Sequence, residues 1–221
     1  MYKAQKRAIL TAVVVTITMA SIAFFLTVNL SALLIHYPVG MSVSRVRGDY
    51  WRLLRYLQLP GRLDFTYIPI SQHGLRHFAD VKIYIVLNEL LMLVLAGISF
   101  TLTHKLKRRG QLWLLLAPLK WIMCIVLVGV VMSAVNFDTI FVGTHYMLFN
   151  NLDWILDQGR DPVILLMPVG FFTRLYLLWA GMTLFFLALF WIKICLSLKL
   201  RLDKSNHRRN QGYHDNSQDN N

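Results

Sequence analysis

The sequence predicts an all-α membrane protein with four transmembrane helices, a small extracellular amphipathic cap and both termini cytoplasmic. Three observations lead there. Apolar residues make up 56% of the 221, and the mean hydropathy is +0.50, too high for an ordinary soluble domain. Four apolar runs have the length of a bilayer crossing. Lysine and arginine are also unevenly spread. The amino-terminal tail, the HKLKRRGQ connection and the stretch after Leu198 hold twelve in about 38 residues, whereas the two other connections hold nine in about 86. By the positive-inside rule the first group is cytoplasmic and residues 36–82 and 136–174 face outward.

The basic start MYKAQKR precedes an apolar run from Ala8 to about Ile35. That run is too long for a cleavable signal core, so it reads as a retained first helix. Its 28 residues would rise roughly 42 Å against a hydrocarbon core of ~30 Å, which calls for tilt or protrusion. In VSRVRGDYWRLLRYLQLPGRLDF the residues Tyr50, Leu53, Leu54 and Leu57 share one helical face, with Arg45, Arg52 and Arg55 largely off it. Pro60 and Gly61 close this helix, and its pattern suits a cap lying on the bilayer surface. The second span is expected from Ile83 to about Thr103, the third from Leu112 to about Val135, and the fourth from about Leu175 to Leu198. DPVILLMPVGFF reads as a short surface segment broken by Pro168. Residues 1–200 therefore form one domain whose cap comes from 36–82 and 136–174. Residues 201–221 are polar and are expected to be a disordered cytoplasmic tail.

A net charge of +12 would suggest nucleic acid in a soluble protein, but here the cations flank apolar runs, where they set topology and meet anionic lipid. Nucleic acid is not an expected partner. Cys124 and Cys195 lie inside apolar runs and offer no disulfide framework. Within the spans, Lys120 can snorkel toward the cytoplasm. Glu89 stands two helical turns after Lys82 on the same face, which suits either a direct or water-linked pair with Lys82 or a functional role for Glu89 facing the bundle interior.

By this topology His73, His77 and His145 lie outside, whereas His104, His207 and His214 do not. His77 opens HFADVK, with Asp80 at i+3 and Tyr84 at i+7 on one face if the second helix begins before the membrane. Asp80 could then hold a ring nitrogen and set the tautomer, as a base requires. The same spacing also suits a simple helix-start contact. His145 lies in an aromatic run, where Phe141, Leu148, Phe149 and Leu152 would surround it on one helical face, either as a catalytic group or as a packing residue of the cap. No HExxH, GxSxG, Walker or dinucleotide pattern is present, so neither a metal nor a cofactor is expected. The residues alone point to acid/base chemistry by histidines at a lipid interface.

Three segments carry a family resemblance. HFADVK (77–82) and FDTIFVGTHYMLFNNLDWILD (137–157) followed by ILLMPVGFF are the most specific, with GDYWRLLRYL (48–57) weaker. The chain resembles the lipoprotein intramolecular transacylases of Gram-positive bacteria. The resemblance implies four spans with an extracellular cap and two catalytic histidines at their junction, corresponding to His77 and His145. It also implies the reaction: the sn-2 acyl chain of an S-diacylglyceryl cysteine moves to the α-amino group of the same cysteine, through an eight-membered cyclic arrangement. The partners are then a diacylated lipoprotein and membrane lipids, with the oligomeric state open. The QHGLR stretch before His77 is less polar than is usual in the family, which weakens any role carried over to Gly74, Leu75 or Arg76.

Which histidine is the base does not follow from sequence, although Asp80 favours His77. Tyr50, Tyr84, Tyr146, Phe149 and Trp154 are candidates for a confining wall, and Lys82 or Asn151 for steadying the oxyanion. The alternative reading of these residues is a non-enzymatic lipid- or lipoprotein-binding membrane module, with the cap as an acyl-chain clamp.

Overall fold

The computed structural model describes residues 2–218, with side chains described to Leu200. Its helices are α1 (Tyr2–Leu30, continued by a 3-10 turn at Ser31–Leu33), α2 (Val43–Gln58), α3 (Gln72–Arg108), α4 (Leu116–Val135, preceded by a 3-10 turn at Leu112–Leu115), α5 (Phe137–Leu148), α6 (Val163–Leu166) and α7 (Val169–Gln218). Four of them, α1, α3, α4 and α7, are long and apolar enough to cross a membrane. Residues such as Leu93, Val94, Val128, Val131 and Phe185 point away from the bundle, as they must where lipid is the solvent.

The bundle is organised around α1, which packs against both α3 and α7. Its inward side is built from Ala8, Thr11, Ala12, Val15, Thr18, Ser21, Ala23 and Thr27. Small side chains let helices approach closely, and hydroxyls join them where water is absent. Thr18 and Ser99 share a 2.7 Å hydrogen bond between α1 and α3. The indole of Trp179 on α7 donates to the Ala20 carbonyl at 2.9 Å.

Two element boundaries bear on the site. α3 starts at Gln72, eleven residues before the expected span, so His77 sits on its second turn outside the apolar stretch. At 1.5 Å per residue this helix rises about 55 Å, enough to carry the cap as well as cross the bilayer. α7 likewise starts earlier than expected, directly after Pro168. Its backbone is described through Gln218. The side chains beyond Leu200, and residues 219–221, lie outside the described residues.

The cap gathers at one end of the bundle. α2 buries Val46, Tyr50, Leu53, Leu54 and Leu57 against Phe78, Val163, Leu166 and Phe171, which matches its amphipathic pattern. Leu59, preceding Pro60, is extended at φ −118° and ψ 156°, the geometry proline imposes on the residue before it, and Gly61 turns the chain at φ 141°. Asp49, on the buried side of α2, is 0% exposed. Its carboxylate accepts the N–H groups of Thr66 (2.9 Å), Tyr67 (2.7 Å) and Ile68 (2.9 Å), and Arg52 at 2.7 Å. Burial alone would raise this carboxyl, but the four donors outweigh it and hold it below its ordinary value of 3.8. Asp161, 3% exposed, does the same for the start of α3, accepting the N–H of Ser71 at 2.7 Å and its hydroxyl at 2.9 Å.

The expected Lys82–Glu89 pair does not form. Lys82 donates to the Leu59 carbonyl at 2.7 Å and lies 4.2 Å from the Tyr56 ring centre, while Oε1 of Glu89 is buried without a hydrogen-bond partner. A carbonyl freed by the end of α2 lies within the lysine's reach and captures it.

Gly74 is a close approach, since a Cβ there would stand 2.7 Å from Oδ1 of Asp161 and 2.9 Å from Cγ1 of Ile70. With Asp161 pinned by its donors, Gly74→Ala is expected to lower Tm in detergent. Gly97→Ala, which meets open space, is not. Equal Tm values for the two would show that Asp161 yields freely. For Asp49 the folded pKa is depressed, so its contribution is fully present above the unfolded value and is lost as pH falls through the folded one. The Tm gap between wild type and Asp49→Asn should therefore be largest near neutral pH and shrink in acid, which thermal melts across pH will measure.

Candidate active site at the junction of cap and bundle

His77 and His145 are 68 residues apart in sequence and 6.2 Å apart between ring centres. α3 brings the first, held in place by the Ser71 cap, whose hydroxyl accepts the N–H of Gly74 at 3.1 Å. α5 brings the second. Asn136 breaks the helical path after α4 at φ −138° and ψ 52°, so that α5 leaves the bundle and runs over the end of α3. α5 stops at Leu148 and Phe149 turns extended, its N–H still bonded to the His145 carbonyl at 2.8 Å.

That exit packs the Phe149 ring beside both imidazoles, 5.0 Å from His77 and 5.5 Å from His145. His77 is 8% exposed and Phe149 7%. Phe141 stacks on His145 at 4.2 Å from the preceding turn, and Trp154 approaches it at 5.1 Å from the following loop. Tyr146 packs edge-on against Trp154, and Tyr84 edge-on against Phe149. The Tyr84 hydroxyl donates to the Leu148 carbonyl, which ties the end of α5 to α3. Leu148 and Leu152 are exposed instead of closing round His145 as expected, because the helix ends before Leu152 and Trp154 takes that place.

One hydrogen bond assigns a tautomer. Nδ1 of His145 lies 2.7 Å from the Phe141 carbonyl oxygen, which can only accept. The nitrogen therefore carries the proton, and a neutral ring presents the lone pair of Nε2. His77 is different: its Nδ1 is sealed from solvent and has no partner, as is the indole N–H of Trp154.

The loop bearing Trp154 is held from α3 by an ion pair. The carboxylate of Asp153 accepts Nε of Arg76 at 2.8 Å and Nη2 at 3.1 Å, and His73 donates to it through Nδ1. These donors, Arg76 first, hold the Asp153 carboxyl down at about 2. A second tie joins Asn151 to α3, its Nδ2 donating to Asp80 at 3.0 Å. Among the described residues, no group of three or more His, Cys, Asp or Glu side chains is placed to hold a metal ion.

The two histidines and the aromatic rings around them meet where the cap joins the bundle. Residues 7–172 match the family described as Lipoprotein intramolecular transacylase Lit. This chain belongs to that family. Membership makes it a membrane-integral acyltransferase. The in meso structure of Lit from Bacillus cereus superposes with a TM-score of 0.78 at 22% identity, covering 93% of this chain and 98% of that one. A variant of the same protein with a histidine-to-alanine substitution gives 0.77 at 20% identity, covering 90% and 96%. A histidine-to-arginine variant gives 0.68 at 21%, covering 90% and 97%. At these identities the likeness concerns the fold. Comparison with curated protein sequences gives no match.

Of the residues singled out from sequence, His77, His145, Tyr84, Tyr146, Phe149 and Trp154 meet in one cluster, with Asp80 and Asn151 at its edge. Two others stand apart. Tyr50 is buried beneath α2, its hydroxyl donating to Ser31 at 2.8 Å and its ring against Phe171. Lys82 faces the end of α2, as described above. Asp80 lies near His77 but holds no ring nitrogen: one of its oxygens accepts from Asn151, and Nδ1 of His77 stays bare. Arg76 and its partner His73 were not among the site candidates. Arg76 sits in the stretch where the chain departs from the family pattern, and nothing in local spacing links it to Asp153, 77 residues on.

If the Arg76–Asp153 pair holds the Trp154 loop over His145, Arg76→Ala and Asp153→Ala should each slow transacylation, and the double variant should be no slower than the worse single one. Independent, multiplying losses in that double-mutant cycle would show that the two residues act separately.

Proposed function

We propose that this protein converts diacylated lipoproteins to their lyso form at the outward face of the cell membrane. It would move the sn-2 acyl chain of the S-diacylglyceryl group to the α-amine of the amino-terminal cysteine. The single observation that carries the reading is the His77–His145 pair, with His145 fixed through Nδ1 and its Nε2 lone pair left available.

The chemistry follows from that pair. As the amine nitrogen bonds to the acyl carbon, its proton passes to Nε2 of His145. Burial and the neighbouring His145 push His77 down to about 4, so its ring enters neutral. The ester C–O bond breaks, and the glyceryl oxygen leaves with a proton from His77, which takes the His145 proton on its other nitrogen, so an amide and an alcohol replace an amine and an ester with no co-reactant. Each proton transfer supplies about 10²- to 10⁴-fold. The sequence leaves the two roles open, with Asp80 favouring His77; the assignment to His145 is supported because Asp80 does not orient His77, whereas a backbone carbonyl orients His145.

An intramolecular transfer needs no acyl-enzyme, only a folded substrate. The aromatic enclosure of Phe141, Phe149 and Trp154 supports that reading, because it limits the conformations open to a flexible diacylglyceryl head, and orientation of this kind contributes several kcal/mol. The side is supported by the positive-inside asymmetry: the cap is the end poorer in lysine and arginine. Residues 1–200 would act as one unit, with lipoprotein and lipid as partners.

His77→Ala and His145→Ala, each still folded and inserted, are expected to lose at least 10²-fold in lyso-form product. Substrate and product have the same mass, so fragmentation of the modified amino-terminal peptide must locate the acyl chain on nitrogen or glycerol. Conversion retained by both variants would overturn the reading. Exhaustive chelation should leave the rate unchanged, and a loss restored by added metal would replace it with a metal-assisted mechanism.

A further inference from the structure

The reacting amine reaches the membrane surface mostly as an ammonium, since an α-amino group titrates near 7.7–8.0. Taking that charge out of bulk water requires a counter-charge, and neither histidine of the pair can supply one. Of the seven acids of the cap, four are committed to other groups, Asp157 to the N–H groups of Gly159 and Arg160 among them, and Asp64 and Asp138 do not line the groove described below. Asp49 serves three backbone N–H groups and Arg52, Asp153 serves Arg76 and His73, and Asp161 serves Ser71. Asp80 has a single neutral partner, Nδ2 of Asn151 at 3.0 Å. Among the described residues, no Lys, Arg or His nitrogen forms an ion pair with it. The nearest lysine in sequence, Lys82, is drawn off to the Leu59 carbonyl and the Tyr56 ring.

Asp80 also occupies a particular place. It lies one helical turn after His77, on the same side of α3. It stands at the polar end of a groove of about 390 Å³ between α3 and the end of α5, with Asn151 beside it and Ile83, Leu87 and Leu148 along the apolar remainder. Ile83 is 57% exposed and Leu87 54%, so this apolar part opens toward lipid. Phe149 belongs to the groove and also packs on both imidazoles, so one ring separates the groove from the histidine pair. Beyond that ring, the bare Nδ1 of His77 and the bare indole N–H of Trp154 are further polar atoms without protein partners.

We propose that this groove binds the amino terminus of the substrate, with the Asp80 carboxylate as the anchor for its α-ammonium and the acyl chains lying along Ile83 and Leu87. Asn151 holds the carboxylate by one oxygen and leaves the other for the ammonium. Loss of one proton to bulk solvent would then turn the bound cation into the nucleophile, one helical turn from His77, and would leave Nε2 of His145 for the proton released on attack. The inference rests on the reading that the substrate is a diacylglyceryl cysteine. It assigns Asp80 to the substrate, not to orienting His77.

The test uses a ligand that cannot react. A short peptide beginning with S-(dialkylglyceryl)cysteine, with ether links in place of both esters, is prepared with a free α-amine and in N-acetylated form, and both are bound to the protein in nanodiscs. Wild type is expected to bind the free amine about tenfold or more tightly than the N-acetyl peptide, the size of effect one charge-assisted hydrogen bond gives. Asp80→Asn keeps an acceptor for Asn151 and should bind both peptides equally, at the N-acetyl affinity, while Asp80→Glu restores part of the preference. Equal binding by wild type, or a preference that survives Asp80→Asn, would overturn the anchor. Because the ether peptide is inert, the result does not depend on turnover. Failure of wild type to make lyso product from the ester substrate would overturn the reaction separately.

Discussion

Peptide groups in loops at a membrane surface have no sheet to pair with and little water beneath them, so something in the cap must accept their N–H bonds. Two buried carboxylates do so. Asp49 gathers the N–H groups of Thr66, Tyr67 and Ile68 and thereby presses the 60–70 loop onto α2. Asp161 gathers Ser71 at the start of α3 and brings the 157–168 loop against it, close enough that residue 74 has no room for a Cβ. The 60–70 loop is thus fastened to α2, and the 157–168 loop to the beginning of the helix that carries His77.

The site depends on that fastening because its two halves belong to different kinds of element. α3 is a 37-residue helix shared by cap and bundle, so its second turn is as fixed as the bundle itself. α5 is a twelve-residue helix that leaves α4 at Asn136 and has no buried residue of its own. What holds α5 in place is contributed from outside it: the Tyr84 hydroxyl on the Leu148 carbonyl, Phe172 against Phe141 at 4.8 Å, and the loop that α3 grips through Asp80 and Arg76. A rigid helix and a surface helix therefore meet over one aromatic ring. Beside that meeting, Ile83 and Leu87 of α3 stay exposed.

Much of this was legible in the sequence, and the failures share one cause. The spans, the buried side of α2 and the approach of α3 to the surface all follow from periodicity and length, which act locally. The pairings of Asp80 with His77 and of Lys82 with Glu89 were read from helical spacing as well, and neither forms. Spacing says that two side chains can meet but not what else competes for them. Asn151 and the Leu59 carbonyl, neither of them on α3, win those contests. The small-residue side of α1 was open to reading, since Ala, Ser and Thr recur along it at helical spacing, but the apolar run as a whole masks them.

The sequence by itself determined the solvent, the number of crossings and, through HFADVK and the aromatic run around His145, which residues to watch. Those properties belong to single segments. Only the tertiary structure decided that Tyr50 and Lys82 stand apart from the histidine pair, that Arg76 and Asp153 hold the Trp154 loop, and that His145, bonded to its own helix, presents Nε2. Each depends on residues far apart in sequence or on a carbonyl whose direction follows from where the helix ends. A buried donor takes the acceptor that packing puts within about 3 Å, and residue spacing along the chain does not contain that distance.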